Sequence, residues 1–324
     1  MMFTNGYALL VGVDEYRIAP PGLTLPIARN DAYEVARVLV DEQAAGYPKN
    51  QVTLLTGETA SRSGILRALD SLKSQVSTDS TVLIFLCGHG VVGNDGSYYF
   101  LCHDTQFKEG GQIVPGSAIS SRELTKAISA ISADRVLLLL NSNFSGNLIG
   151  DFNKGDIAEP DASVLRNATS PAQDNLVNAI VSGGQGRAVI SASRANQQSY
   201  FQSDASNTIF TQALVEGLRG SEEIRSGRGY IDVFLLYQYI FERVRVLIRR
   251  LAPSIIQEPV LSIQQGVGSF PVALYRGGRN LLTPDTEDAS AQKFSSIAQE
   301  VQSPEGPQSP PEGPQSPPEG PQSP

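Results

Sequence analysis

At 324 residues with 40% hydrophobic side chains, the chain is long enough to bury one large core or two small ones, and its composition is that of a globular protein. A net charge of −8 and a pI near 4.9 argue against a nucleic-acid partner, and two cysteines with two histidines build neither a disulfide framework nor a zinc site of familiar spacing. No run of eighteen apolar residues occurs and the N-terminus MMFTNGYALLVGV lacks a basic n-region, so neither a membrane span nor a signal peptide is expected and the expected location is cytoplasmic.

From Tyr7 to about Tyr275 short apolar runs alternate with longer periodic segments, which predicts an α/β fold with a central, mostly parallel sheet flanked by helices on both faces. A strand is expected over Tyr7 to Val13, a helix over Ile27 to Asp41, a strand over Gln51 to Leu55 and a helix over Ser63 to Val76. The run TVLIFLC, Thr81 to Cys87, is apolar at every other position on both sides, as a central parallel strand covered on each face should be. Ser97 to Leu101 predicts local antiparallel structure. Ser120 and Glu123 have capping-box spacing at the start of a helix over Ser121 to Ile131. A second buried strand, Arg135 to Leu140, follows. After a polar, Gly-rich and Asp-rich connection come a strand over Arg187 to Ala192, helices near Thr208 to Leu218 and Ile231 to Arg250, and extended pieces at Pro259 to Ile263 and Phe270 to Tyr275. Arg243, Arg245, Arg249 and Arg250 fall at the end of the long helix, where cations complement the helix dipole and face solvent. Past Arg279 the near-repeat SPPEGPQ has too few apolar side chains to offset ordering entropy, which predicts a disordered Pro-rich tail over 280–324, a spacer or a ligand for a proline-binding module.

In an open parallel sheet, functional residues are sought just after the carboxyl ends of the strands. Two loops are expected there. Cys87-Gly88-His89-Gly90 follows the first buried strand, and its glycines should turn the backbone and leave the imidazole of His89 uncovered. Asn141-Ser142-Asn143-Phe144-Ser145-Gly146 follows the second.

With these two segments the sequence resembles the caspase superfamily, most closely its bacterial and metacaspase-like branch, in which a Gly-His-Gly loop and an Asp-x-Cys-x-Ser-Gly loop carry the catalytic dyad. YALLVGVDEY, ARNDA around Asp31, LIFLCGHG, ISASRANQQSY from Ile190, IFTQALVEGL from Ile209 and QEPVLSI from Gln257 occur in the family's order. The resemblance implies a caspase-like domain over 1–279, with a large-subunit-like part to about 150, a linker over about 151–185 and a small-subunit-like part over about 186–279. It implies His89 as general acid/base and places the nucleophile position on Asn143.

A carboxamide has no thiolate form, and deleting a nucleophile that works with its base costs on the order of a million-fold in turnover. The resemblance further implies a substrate pocket with acids at Asp31 and at position 141, where this chain has Asn141, and a wall formed by Ser191 and Ser193. The missing charge at Asn141 removes a charge-assisted bond to a guanidinium worth about 1.5–3 kcal/mol. Asp31 is either a remaining pocket acid or a capping or surface carboxylate. Among replacements for the thiol, Cys87 is expected to be a buried hydrophobe with a raised pKa, and Ser142 and Ser145 lack a nucleophile elbow. Self-cleavage at Asn143 has no other support in the sequence. Asp151, Asp156, Glu159 and Asp161 do not follow a calcium-loop pattern, so calcium dependence is weakly indicated and no other cofactor is expected. The expected protein is a caspase-like pseudopeptidase that holds a peptide or protein ligand in its cleft, or partners an active caspase-like relative. The alternative is an active cysteine-type endopeptidase, cutting after basic residues through an unconventional nucleophile.

Overall fold

A computed structural model of the chain describes residues 2–277 apart from 19–22, 110, 145–170, 185, 195–196, 202–204, 225–226 and 264–267, with the backbone alone at 143, 144 and 171. Strands β1 (Gly6–Gly12), β2 (Val52–Thr56), β3 (Thr81–Val92), β6 (Arg135–Phe144), β7 (Arg187–Ser191) and β9 (Val260–Ile263) form one sheet in the order β2-β1-β3-β6-β7-β9. All neighbours are parallel except β9, which runs antiparallel to β7. Two short strands, β4 (Tyr98–Phe100) and β5 (Ile119–Ser120), extend it beyond the end of β3.

The alternation along the central strands divides the interior into two cores. Leu83, Phe85 and Cys87 of β3, with Leu137 and Leu139 of β6, pack against α1 (Pro26–Val40), α5 (Ile209–Leu218) and α6 (Val233–Leu251). Val82, Ile84 and Leu86, with Val136, Leu138 and Leu140, pack against α2 (Arg62–Gln75), α3 (Ser121–Ser129) and α4 (Pro171–Ser182). Each such side chain withdrawn from water is worth about 1.5–3 kcal/mol, so these two strands anchor the domain. The helices start where polar side chains meet their exposed amides. Ser61 Oγ accepts from Gly64 N at the head of α2, Ser120 and Glu123 form both halves of the expected capping box at α3, and Thr208 accepts from Thr211 N at α5.

Several expectations are corrected. The connection between β6 and β7 contains α4, whose Leu176, Val177, Ile180 and Val181 recur at helical spacing and are all buried. The long helix begins at Val233 rather than Ile231, because Tyr230–Asp232 is instead a strand, β8, paired antiparallel with β10 (Pro271–Leu274) in a separate two-stranded sheet. The basic residues of α6 do not all face solvent: Arg243 Nε lies 2.5 Å from Glu216 Oε2, and Arg245 sits over the Phe241 ring. Arg249 and Arg250 are exposed. The Pro-rich tail lies outside the described residues, and no helix among those described is long and apolar enough to cross a membrane.

Candidate functional site

Of the two segments expected as loops, Cys87–Gly90 and Asn141–Phe144 are strand. The β3–β6 ladder continues past the apolar runs through Cys87↔Asn141, Gly88↔Ser142, His89↔Asn143 and Gly90↔Phe144. Hydrogen bonding of Gly90–Val92 to β4 then carries β3 onward. Glycine was expected to mark a turn here; instead each glycine makes room. Gly88 has φ +155°, and a Cβ on Gly90 would lie 2.5 Å from the hydroxyl of Tyr98, whose phenol crosses that strand to donate to Ser142 Oγ at 2.8 Å. The backbone positions of His89 and Asn143 are thus direct register partners on adjacent strands, about 4.8 Å apart by sheet geometry.

His89 is not uncovered, as the sequence suggested, but 2% exposed. The segment after β1 covers it: the Tyr16 ring lies 6.1 Å away, the Tyr16 hydroxyl accepts from the His89 amide at 3.4 Å, and Nε2 lies 3.0 Å from the carbonyl of Leu23. A carbonyl can only accept, so Nε2 carries the proton and Nδ1 is the basic nitrogen of the neutral ring. Burial depresses the pKa to about 4, with the Leu23 carbonyl opposing it. At neutral pH the imidazole therefore holds no charge, and the Leu23 carbonyl fixes its tautomer.

Asp31 and Asn141 lie together beneath the sheet's end. Asn141 continues the alternation of Leu137 and Leu139 onto the α1 and α5 face, and Asp31 of α1 meets it there with no exposed surface. The surface-carboxylate reading of Asp31 is therefore excluded. The Asp31 carboxylate accepts from the amide and hydroxyl of Thr208, from Asn207 and from Asn141 Nδ2, the last at 3.0 Å. Burial raises its pKa, and the bonds from Thr208 and Asn207 pull it back. Cys87 Sγ is 3.5 Å from the same carboxylate, and burial and that charge push the thiol well up, so it holds its proton.

Ser191 and Ser193, both buried, stand at the end of β7, with Ser193 Oγ donating to the carbonyl of Gln197. Next to them Arg194 Nε pairs with Glu258 at 2.7 Å. Ser142 is engaged by Tyr98 rather than capping a loop. Ser145 and the acids Asp151, Asp156, Glu159 and Asp161 lie outside the described residues, as does the side chain of Asn143. Among the described residues no three of the histidine, cysteine or acidic side chains are grouped to hold a metal ion.

Sequence reasoning missed Tyr16, Leu23, Tyr98, Asn207, Thr208, Ser199 and Gln257. Only Thr208 carried a local signal, as a hydroxyl immediately before the apolar pattern of α5. The others act from 44 or more positions away in sequence, where no spacing links them to the site.

The amino-acid sequence matches the caspase domain family over residues 5–262, and the chain belongs to that family. One solved structure it is similar to is protein GSU0716 from Geobacter sulfurreducens, at 18% identity and a TM-score of 0.48, covering 80% of this chain and 94% of that one. No relative is found among curated proteins.

Proposed function

We propose that this caspase-domain protein is a pseudopeptidase, a cytoplasmic module that holds a peptide, a protein ligand or an active caspase-like relative without cutting it. The observation that carries the proposal is the register pair His89↔Asn143: a base stands beside a position that has no thiol to offer it. Both cysteines of the chain are buried with pKa values raised by that burial, so neither supplies a thiolate in its place. His89 keeps a neutral ring with a fixed tautomer, but burial lowers its pKa to about 4, well below the working pH that suits an acid/base residue, and no nucleophile stands beside it to be activated.

The test compares the purified wild-type chain with Asn143→Cys on a panel of peptides ending in Arg, Lys, Asp or an apolar residue, with and without calcium. Wild-type turnover is expected at background. Asn143→Cys is expected to cleave at least one member of the panel about a thousand-fold faster or more, with the gain abolished by a thiol reagent. Turnover by the wild-type chain, or a substrate-derived acyl group on any of its side chains, overturns the proposal.

A further inference from the structure

The Asp31 carboxylate is saturated from within. Its Oδ1 accepts from Thr208 N at 2.9 Å and Asn207 Nδ2 at 3.1 Å, and its Oδ2 from Thr208 Oγ1 at 2.7 Å and Asn141 Nδ2 at 3.0 Å, with Cys87 Sγ a longer fifth contact. A carboxylate offers about four lone-pair sites, so these neighbours fill it. Asn141 is fixed just as fully: its second amide proton points to Thr208 Oγ1 at 2.9 Å, and its Oδ1 accepts from Ser199 Oγ at 2.8 Å. Turning the carboxamide over would set its oxygen against the Asp31 carboxylate, two acceptors facing each other. From Ser199 the contacts run to Gln257, whose Nε2 donates to the carbonyl of Ala192 at 2.9 Å and whose Oε1 accepts from Tyr200 N at 3.1 Å.

We infer that Asn141 is a built-in occupant of the Asp31 site. Its carboxamide takes the bond that a cationic ligand group would need, so the cleft does not read arginine or lysine, and the Asp31–Asn141 pair serves to tie α1 and β6 to the segments around Ser199, Thr208 and Gln257. This deepens the peptide-holding proposal and rests on it for the cleft's role. An aspartate at 141 would put a second carboxylate oxygen about where Nδ2 now stands, 3.0 Å from Asp31. Two such charges cannot both stay ionised in a buried site without a proton or a cation between them. Among the described residues, the groups facing Asp31 offer no charge to offset it. Cys87 on β3 keeps its proton, and Asn141 on β6, Asn207 and Thr208 before α5 and Thr211 on α5 are neutral.

The experiment follows thermal unfolding of the wild-type chain, Asn141→Ala and Asn141→Asp from pH 8 to pH 5, and titrates the wild type and Asp31→Asn with N-acetyl-arginine amide. Asn141→Asp is expected to melt about 5–10 °C below wild type at pH 8 and to recover most of that difference at pH 5, while Asn141→Ala, which removes a donor but adds no charge, shows a deficit with a weaker dependence on pH. The wild type is expected to show no saturable binding of the arginine probe at millimolar concentration. An Asn141→Asp variant with the wild-type melting profile overturns the inference, and so does wild-type binding of the probe that Asp31→Asn abolishes. If Asn141→Asp does not fold at neutral pH, the probe titration decides alone. Cleavage by Asn143→Cys after arginine would overturn this inference while leaving the pseudopeptidase proposal standing, so the two fail separately.

Discussion

The β3–β6 pair carries two chemistries along one ladder. From Thr81↔Arg135 to Leu86↔Leu140 the side chains enter apolar cores on both faces, and nearly every one is inaccessible to water. From Cys87↔Asn141 onward the same ladder is lined by amide, hydroxyl and imidazole groups that are almost as buried but are held by specific bonds: Asn141 to Asp31, Ser142 to Tyr98, His89 to Leu23. Burial alone therefore does not separate the structural half from the candidate site. The difference is the penalty for error. An apolar residue removed from the first half leaves a cavity, whereas a change in the second leaves a polar atom without its partner, at about 1–3 kcal/mol each.

The largest expected effect lies in the apolar half. Phe85 is fully buried against α1 and α5, and Phe85→Ala should destabilise the domain by about 3–5 kcal/mol in denaturant unfolding, without changing the sensitivity of stability to pH. The next tests the polar half through a proton. His89 is neutral in the folded chain to about pH 4, whereas an unfolded histidine titrates near 6.5. Between those values the unfolded chain binds more protons, so the contribution of His89 is complete above pH 6.5 and is lost as pH falls toward 4, by about 3 kcal/mol in all. Asp31, with its raised pKa, acts in the opposite sense: its contribution grows as pH falls through its folded-state pKa. The difference between wild type and His89→Gln isolates the histidine, and a difference that stays constant from pH 7 to pH 4 would show that the ring is not held neutral by burial.

The apolar half was legible from sequence because its pattern is local: TVLIFLC and RVLLLL state their own burial on both faces, and the Ser120 and Glu123 spacing states its own cap. The polar half was legible only as identity. His89 and Asn143 could be placed in sequence, and the missing thiol could be seen, but Gly-His-Gly reads as a break in a strand. That Gly90 sustains pairing while admitting Tyr98 depends on a phenol arriving from β4. Asp31 was ambiguous for the same reason, since Asn207 and Thr208 reach it from 176 and 177 residues away. Helix α4 was overlooked for a different one, a short apolar stripe set at the end of a long polar stretch.

Gly90 supplies the third test. Gly90→Ala places a methyl 2.5 Å from the Tyr98 hydroxyl and 2.7 Å from its Cζ, so the ring must move or the strands must part, at about 1–3 kcal/mol. Pairing Gly90→Ala with Tyr98→Leu should recover much of that loss, because the crowded phenol is then gone. Full destabilisation persisting in the pair would mean that glycine is needed there for the backbone itself.

The smallest effect is the one that reads the polar half most directly. Tyr98 donates to Ser142 Oγ at 2.8 Å inside the protein, and burial keeps the phenol protonated while that bond pulls its pKa the other way. If the second half of the ladder is held by such bonds, Tyr98→Phe and Ser142→Ala should each cost about 1 kcal/mol, and the double variant should cost no more than either, a coupling of about 1 kcal/mol in a double-mutant cycle. If the two losses add instead, the bond contributes nothing of its own. The polar stretch would then be held by the backbone pairing of β3 with β6 and β4, which both substitutions leave in place, and the contrast between the two halves would reduce to composition.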